Sequence, residues 1–499
     1  MKIIGRENAI EILERIYHSS KAEFLALYGR RRVGKTYLVK EFFSKKQKSN
    51  PAPLFFYFTA LKDGRNSEQL FFFKKELEGV FYHYPLPELK RWIDAFELLT
   101  LAIHKFLETP SNRSRPIVLF FDEFPWAARA KSGLAQALDH YWNRHWSHLK
   151  NIKLIICGSA ASWMINNLIR AKGGLHNRLT EVLRLQPFTI EEVSRYLKEL
   201  QLHYNAQSLV DIYLCLGGVP YYLNFLRRGK SAAQNISQIC FGKDAPLAGE
   251  FENLLHSLYD NSEIHYKIIQ ILSTRKSGMS RNEILKKIKL NSGGQISKCL
   301  SELEEASFIA SFIPLGKKKK DIFFKIVDQY TLFYLSWIDK SSHNILDHAS
   351  ASKYWSQMVS SPGYYAWSGL AFEIFCFNNL HLIRQQLGIE EIACKVGAWK
   401  YVPSAKNKES GAQIDLVFDR EDKTITLCEI KYSLSPYQTD KQEILGLHQK
   451  IATFKQVTNT KKQILFALIT LHGAKPSIFL DEVVTNYVQL DQALEKINR

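Results

Sequence analysis

No C-x-x-C pair occurs among the seven cysteines of this chain, which are scattered along its 499 residues. Their spacing argues against a zinc site and against a disulfide scaffold. Three of them, Cys157, Cys215 and Cys376, lie in apolar runs and read as buried thiols. No apolar stretch reaches the ~18 residues that a membrane-spanning helix needs. The opening residues, MKIIGRENAI, carry charge too early to form a signal-peptide core. A reducing cytoplasm is the expected location. There is no repeat of fixed period and no long low-complexity tract, so the chain is neither a repeat array nor disordered. Acidic residues are in deficit: 49 Asp and Glu face 67 Lys and Arg, a formal net charge of +18. A surface that basic favours phosphate-rich or otherwise acidic partners. The hydrophobic share, 46%, is that of a globular protein, and the length suits roughly two to four domains.

Up to about residue 190, apolar runs that read as buried parallel strands alternate with helical patterns. The strands are Phe24–Tyr28, Leu54–Thr59, Ile117–Phe121 and Lys153–Cys157. Such continuous runs indicate a parallel sheet covered on both faces. From Thr189, a capping-box-like start, the pattern is helical to about residue 260. Helices follow over Ile264–Ser273, after Ser280 to Ile288, and over Gln295–Ala306, the last led in by Ser292-Gly293-Gly294. Phe308–Phe312 and Ile322–Ile326 flank the basic turn Gly316-Lys317-Lys318-Lys319-Lys320. Three short helices and a two-stranded ribbon make a winged-helix pattern. Residues 330–365 are aromatic-rich and helical and read as a bridge. An α/β segment closes the chain: a helix over Gly369–Leu382, then strands near Gln413–Phe418, Thr424–Lys431 and Gln463–Thr470.

Residues Gly29, Arg30, Arg31, Arg32, Val33, Gly34, Lys35 and Thr36 read GRRRVGKT, a complete G-x-x-x-x-G-K-[ST] motif between a strand and the amphipathic stretch Tyr37–Phe43. Its backbone N–H groups can wrap a phosphate chain, and the helix N-terminus adds a positive dipole end. Lys35 can reach the β- and γ-phosphates, and the Thr36 hydroxyl can sit on Mg²⁺. ATP and Mg²⁺ are the expected cofactors. The strand ending Phe121-Asp122-Glu123 delivers two carboxylates where parallel sheets bind ligands. Asp122 would hold Mg²⁺, and Glu123 would polarise the attacking water. Ser159, after the strand Leu154–Cys157, can contact the γ-phosphate or that water. Arg178 can bring positive charge to the γ-phosphate, in cis or from a neighbouring subunit; Arg184 and the three loop arginines are rivals.

Taken in order, Gly5-Arg6-Glu7, GRRRVGKT, LFFDEF, IICGS, the Arg178 region and Gly217-Gly218-Val219-Pro220-Tyr221 resemble the archaeal-type ATPases of the STAND branch of the AAA+ superfamily. The resemblance covers roughly the first 250 residues. It implies a nucleotide-operated switch, a slow ATPase, with Gly218-Val219-Pro220 in a helical lid and Pro220 near the nucleotide. The chain departs from those relatives at Asn177, where they usually carry glycine, and this weakens the Arg178 assignment.

Near the C-terminus, Asp415 lies in one strand and Glu429 and Lys431 in the next, around the polar turn Asp419–Lys423. Strand side chains alternate faces, so Glu429 and Lys431 share one. A hairpin centred near residue 422 sets Asp415 opposite Glu429. Asp415 and Glu429 can bind Mg²⁺, which can activate a water for phosphodiester hydrolysis, while Lys431 can stabilise the transition state. Glu373 is a lone acid in the apolar helix Gly369–Leu382, a placement that needs a reason. A helix acid, a strand Asp and Glu-x-Lys resemble the PD-(D/E)xK nuclease fold, and also the DUF234-type domain that accompanies archaeal-type ATPases. The usual acid two residues before the strand Asp is Gln413 here.

These readings give an α/β chain with five segments: a P-loop parallel-sheet ATPase core (1–188), a helical lid (189–260), a winged helix (261–330), a helical linker (331–365) and a restriction-endonuclease-like domain (366–499). The expected function is coupling of nucleotide state to DNA binding or Mg²⁺-dependent DNA cleavage. The alternative is a nucleotide-switched regulator of DNA or of a protein partner, with a silent C-terminal domain. The third helix of the winged-helix segment is expected to expose Lys298, Glu302, Glu304 and Glu305, a poor face for phosphate, whereas the turn Lys317–Lys320 suits it. A protein-binding winged helix and an oligomer stay open; no membrane partner is expected.

Overall fold

The structure, a computed structural model, describes residues 2–170, 177–242, 244–259, 261–275, 277–289, 293–315, 321–341, 348–401, 403 and 411–498. It divides into two compact units, Met1–Pro187 and Phe188–Arg499.

The first unit is built on five strands: β1 (Glu23–Tyr28), β2 (Leu54–Thr59), β3 (Ile117–Asp122), β4 (Ile152–Gly158) and β5 (Glu181–Arg184). They are all parallel, in the order β2-β3-β4-β1-β5. Every residue of β3 and β4 is buried. Alternation along the strands divides the core in two. Phe24, Ala26, Leu119, Phe121, Leu154 and Ile156 join one layer; Leu25, Leu27, Val118, Phe120, Ile155 and Cys157 join the other. Both faces are therefore covered, and the continuous apolar runs follow from that. The edge strand β5 is short and carries charge at both ends, which hides it from a hydropathy reading.

The second unit opens on short helices from Ile190 to Leu258. The first is capped by Thr189, whose side chain accepts from the Glu192 N–H. Helices Glu263–Ser273, Arg281–Ile288 and Gly293–Glu305 follow, the second started by a Ser280–Glu283 capping box. Strands β6 (Met279–Ser280), β7 (Ile309–Phe312) and β8 (Phe323–Ile326) form an antiparallel sheet in the order β6-β8-β7. The expected ribbon thus has a third strand. Ser292 and the basic turn 316–320 lie outside the described residues.

The segment read as a bridge holds a buried aromatic cluster, in which Trp355 packs against Phe333, Trp337, Tyr364 and Trp367. The expected helix Gly369–Leu382 is two helices, Pro362–Asn378 and Leu380–Leu387. Ser361 caps the first and Pro362 occupies its first turn, so it starts earlier than the apolar pattern suggests. The break falls at Asn379, whose side chain leaves the helix pattern to accept from the Ile190 N–H at 2.9 Å. Strands β9 (Cys394–Tyr401), β10 (Ala412–Arg420), β11 (Thr424–Lys431), β12 (Gln463–Thr470) and β13 (Asn486–Gln489) make a mixed sheet in the order β13-β12-β11-β10-β9. No helix among the described residues is long and apolar enough to cross a membrane.

Candidate functional site

The P-loop leaves β1 at Gly29, where φ is +144° and a Cβ would come within 2.3 Å of the Leu185 carbonyl oxygen. Only glycine fits there. Gly34 closes the loop at φ +91° with open space where a Cβ would lie, and it caps the helix Lys35–Lys46. Arg6 braces the loop from below: its guanidinium donates to the Val33 carbonyl at 3.1 Å and to the Gln186 carbonyl. Lys35 is buried, and its ammonium donates to the carbonyls of Gly29 at 3.0 Å and Arg30 at 3.1 Å. Arg31 lies over the Trp126 ring at 5.8 Å.

Thr36 Oγ1 donates to Asp122 Oδ2 at 2.6 Å, so the end of β3 and the start of the P-loop helix share one polar contact. Asp122 is buried, and its other oxygen accepts the Glu123 N–H at 3.0 Å. Glu123 sits at φ +47°, a left-handed conformation that bulky residues rarely adopt. It turns the side chain towards β4, where Glu123 Oε2 accepts from Ser159 Oγ at 2.8 Å and Ser159 N at 3.1 Å. Ser159, read from sequence as a phosphate or water contact, thus holds the carboxylate of Glu123. The oxygen pair of Thr36 and Asp122 suits a hard cation such as Mg²⁺, and the empty side of Gly34 leaves room for a phosphate chain.

Residues 3–226 match the family described as an ATPase domain predominantly from Archaea. The first part of this chain is similar to a P-loop ATPase domain. An uncharacterized protein of Methanocaldococcus jannaschii is 25% identical over 343 residues, 67% of this chain and 68% of that protein. An uncharacterized ATP-binding protein of the same organism is 48% identical over 44 residues, 9% of this chain and 75% of that protein. Among solved structures, the Walker-type ATPase of Pyrococcus abyssi is similar at TM-score 0.48 and 17% identity, covering 67% of this chain and 96% of that one.

Within the first unit, Arg178 is exposed in the loop before β5, and the preceding residues 171–176 lie outside the described residues. Its rival Arg184 pairs in register with Tyr28, the residue before Gly29, and so stands at the strand end that carries the P-loop. Pro220 starts a four-residue helix in the second unit. Gly218, two residues earlier, packs so closely that a Cβ would lie 1.9 Å from the Phe188 carbonyl oxygen.

A second cluster lies in the C-terminal sheet. The β10–β11 register pairs Leu416 with Cys428, and one step further sets Asp415 against Glu429. A break in the β9–β10 register between Ile414 and Val417 frees this stretch of β10. Asp415 Oδ2 accepts the Ile430 N–H at 3.1 Å. Burial and the neighbouring Glu429 push the Asp415 carboxyl up to about 6. Glu429 is buried, and both its oxygens accept from Lys450 Nζ, at 2.8 and 2.7 Å. Lys431 Nζ lies 3.5 Å from Glu429 and 3.5 Å from Glu443. Burial works against its charge, yet these acids hold the Lys431 ammonium above its ordinary value. Glu373 and Asp415 line one cavity with Gln413, Lys400 and Lys325. Burial pushes the Lys325 ammonium down to about 7, opposed by Glu373 and Asp415.

Sequence reading missed Lys325, Lys450 and Glu443. Lys325 left a signal, a lone charge inside an apolar strand; Lys450 lies on an ordinary amphipathic helix and left none. The acids of helix Gly293–Glu305 were expected on an open face, and the structure corrects this. Glu302 pairs with His265 at 2.8 Å, Glu304 accepts the Ser311 N–H at 2.8 Å, and Glu305 accepts from Ser301 at 3.1 Å. All three are part-buried, and of the four named positions only Lys298 is exposed.

Proposed function

We propose that this protein is an ATP-operated switch whose nucleotide state controls DNA binding or Mg²⁺-dependent DNA cleavage by the C-terminal domain. One observation carries the input half: Thr36, Asp122, Glu123 and Ser159 are joined by hydrogen bonds at the ends of adjacent parallel strands, beside Lys35, which donates to the P-loop carbonyls of Gly29 and Arg30. In this reading Lys35 binds the β- and γ-phosphates, and the P-loop backbone from Gly29 to Thr36 wraps them. Thr36 and Asp122 hold Mg²⁺, which supplies charge neutralisation at the phosphates. Glu123, released from Ser159, orients the attacking water. Arg178 contributes positive charge, in cis or from a second copy, and Pro220 belongs to the lid.

The output half rests on three acids whose oxygens suit Mg²⁺: Glu373 and Asp415 line one cavity, and Glu429 faces Asp415 from the next strand with Lys431 beside it. Three helices and a small sheet form a winged-helix-like module that presents DNA or a protein partner to this site, and the net charge of +18 favours the former. Plasmid incubated with the full chain, Mg²⁺ and ATP tests the reading: nicking that Asp415→Asn abolishes, with ATP turnover kept, supports cleavage. The second reading, a silent C-terminal domain, draws on Lys450, which already engages both oxygens of Glu429. Salt-sensitive DNA retention without nicking under any divalent metal would select it.

A further inference from the structure

One cluster of ligand-type side chains has no part in either site. His265 comes from the helix Glu263–Ser273, and Cys299 and Glu302 are three positions apart on the helix Gly293–Glu305. One ligand atom of each lies within 4.8 Å of the other two. His265 and Cys299 are 4% and 5% exposed, so the set is inside the module rather than on its surface. The absence of a C-x-x-C pair does not bear on it, because its ligands come from two helices.

We infer that His265, Cys299 and Glu302 form a zinc site that clamps these two helices together. Ligand chemistry points to zinc: a thiolate, an imidazole and a carboxylate form a mixed N, S and O set that suits Zn²⁺ far better than Mg²⁺ or Ca²⁺. The set leaves a fourth tetrahedral position for water. Imidazole orientation is already that of a metal ligand. Nδ1 lies 3.2 Å from the Asn261 carbonyl, which fixes the proton there and turns Nε2 towards Glu302 at 2.8 Å. A backbone carbonyl on the far nitrogen is the usual outer support of a metal-bound histidine. The Tyr259 ring stacks on the imidazole at 3.8 Å and 2°, and its hydroxyl donates to the Glu302 carbonyl at 3.1 Å, which locks the plane of the ring. A Cys–His–Glu proton relay is excluded by the same contacts, since Glu302 is not on Nδ1. Zinc would replace the proton between Nε2 and Glu302 and the proton of the Cys299 thiol.

The full chain, purified without chelator, should carry about one zinc per chain by elemental analysis. Stripped protein refilled with Co²⁺ should show a thiolate-to-cobalt charge-transfer band. Cys299→Ser should lose both, while Cys376→Ser, which alters a thiol near the Asp415 cavity, should keep both. ATP binding should be unchanged in Cys299→Ser and reports that its first unit is folded. Should Cys299→Ser not accumulate, the wild type decides: zinc should slow alkylation of Cys299 relative to the stripped chain. A protein with no zinc and no charge-transfer band, zinc retained by Cys299→Ser, or Cys299 alkylation indifferent to zinc would each overturn the assignment.

Discussion

At the scale of single residues, Lys35 is held by two carbonyls of its own loop, and its charge is buried. A phosphate chain offers it a stronger, charge-assisted partner. Lys35→Ala should weaken ATP binding by at least ~2 kcal/mol, about thirtyfold, as read by titration with a fluorescent nucleotide. Glu123 makes a different prediction. Its carboxylate accepts from Ser159 and does not touch the loop carbonyls that hold Lys35. Glu123→Gln should therefore keep nucleotide binding and lower turnover by about 10²-fold or more; equal losses in both would remove it from the water-orienting role. At Asp415, burial beside Glu429 raises the carboxyl to about 6. The folded chain then keeps a proton between the ordinary carboxyl range and about 6 that the unfolded chain has released. Stability falls as pH rises through that window and is flat above it. Without divalent cation, Asp415→Asn should be more stable than wild type at pH 8 and indistinguishable from it at pH 4, by thermal melts; the opposite trend would mean the carboxylate is stabilised where it stands.

At the scale of elements, Gly218 shows how tightly the helices after Phe188 are set. The Phe188 N–H donates to the Gly218 carbonyl at 2.6 Å, and a Cβ at Gly218 would collide with the Phe188 backbone. Backbone cannot move aside as a side-chain tip can, so Gly218→Ala should cost about 3 kcal/mol of the second unit's stability, measured by denaturant titration. The motif reading singled out this glycine, but the physical demand on it is visible only in the fold. Central strands of both sheets were legible because their residues are buried on both faces: the apolar runs mark β3 and β4 to within a residue at their ends, and β11 and β12 in full. β2, at the edge of the first sheet, was legible too, because its run Leu54–Thr59 is apolar even though only part of it is buried. The edge strands of the C-terminal sheet were not. In β9 the pattern Cys394-Lys395-Val396-Gly397 mixes exposed and part-buried positions, and β13 is four residues long. An edge strand is recognised through the neighbour it pairs with, which no local window contains. The same holds for the sites. Asp415 and Glu429 could be aligned from the hairpin, whereas Lys325 and Lys450 reach the acids by tertiary packing alone.

At the scale of the whole molecule, the helices after Phe188 share one compact unit with the C-terminal sheet, and a part-buried polar network links them. Asp211, on the helix Ala206–Leu216, accepts from Tyr432 at 2.9 Å, Gln207 at 2.8 Å and Tyr364 at 3.3 Å. Burial raises its carboxyl despite those donors. His472 continues the chain of contacts, from Gln207 at 2.6 Å to Asp491 at 2.8 Å. Tyr432 directly follows Lys431, so the network ends one residue from the acid–lysine cluster. A network of this kind, shielded in part from water, favours one arrangement and resists partial change. Under the switch reading, it is the element through which the lid segment biases the Lys431 strand. Tyr432→Phe removes one donor from Asp211 and should cost about 1–3 kcal/mol locally. It should also reduce the ATP-dependent change in DNA retention or cleavage, while ATP turnover stays at the wild-type rate, because no group of the network belongs to the P-loop site. The measurement is a ratio, DNA output with ATP over output without it, for both proteins at one salt concentration, since phosphate contacts are steeply salt-dependent. A ratio equal to that of wild type, in a variant shown to be less stable, would make the network a structural brace and place the coupling elsewhere.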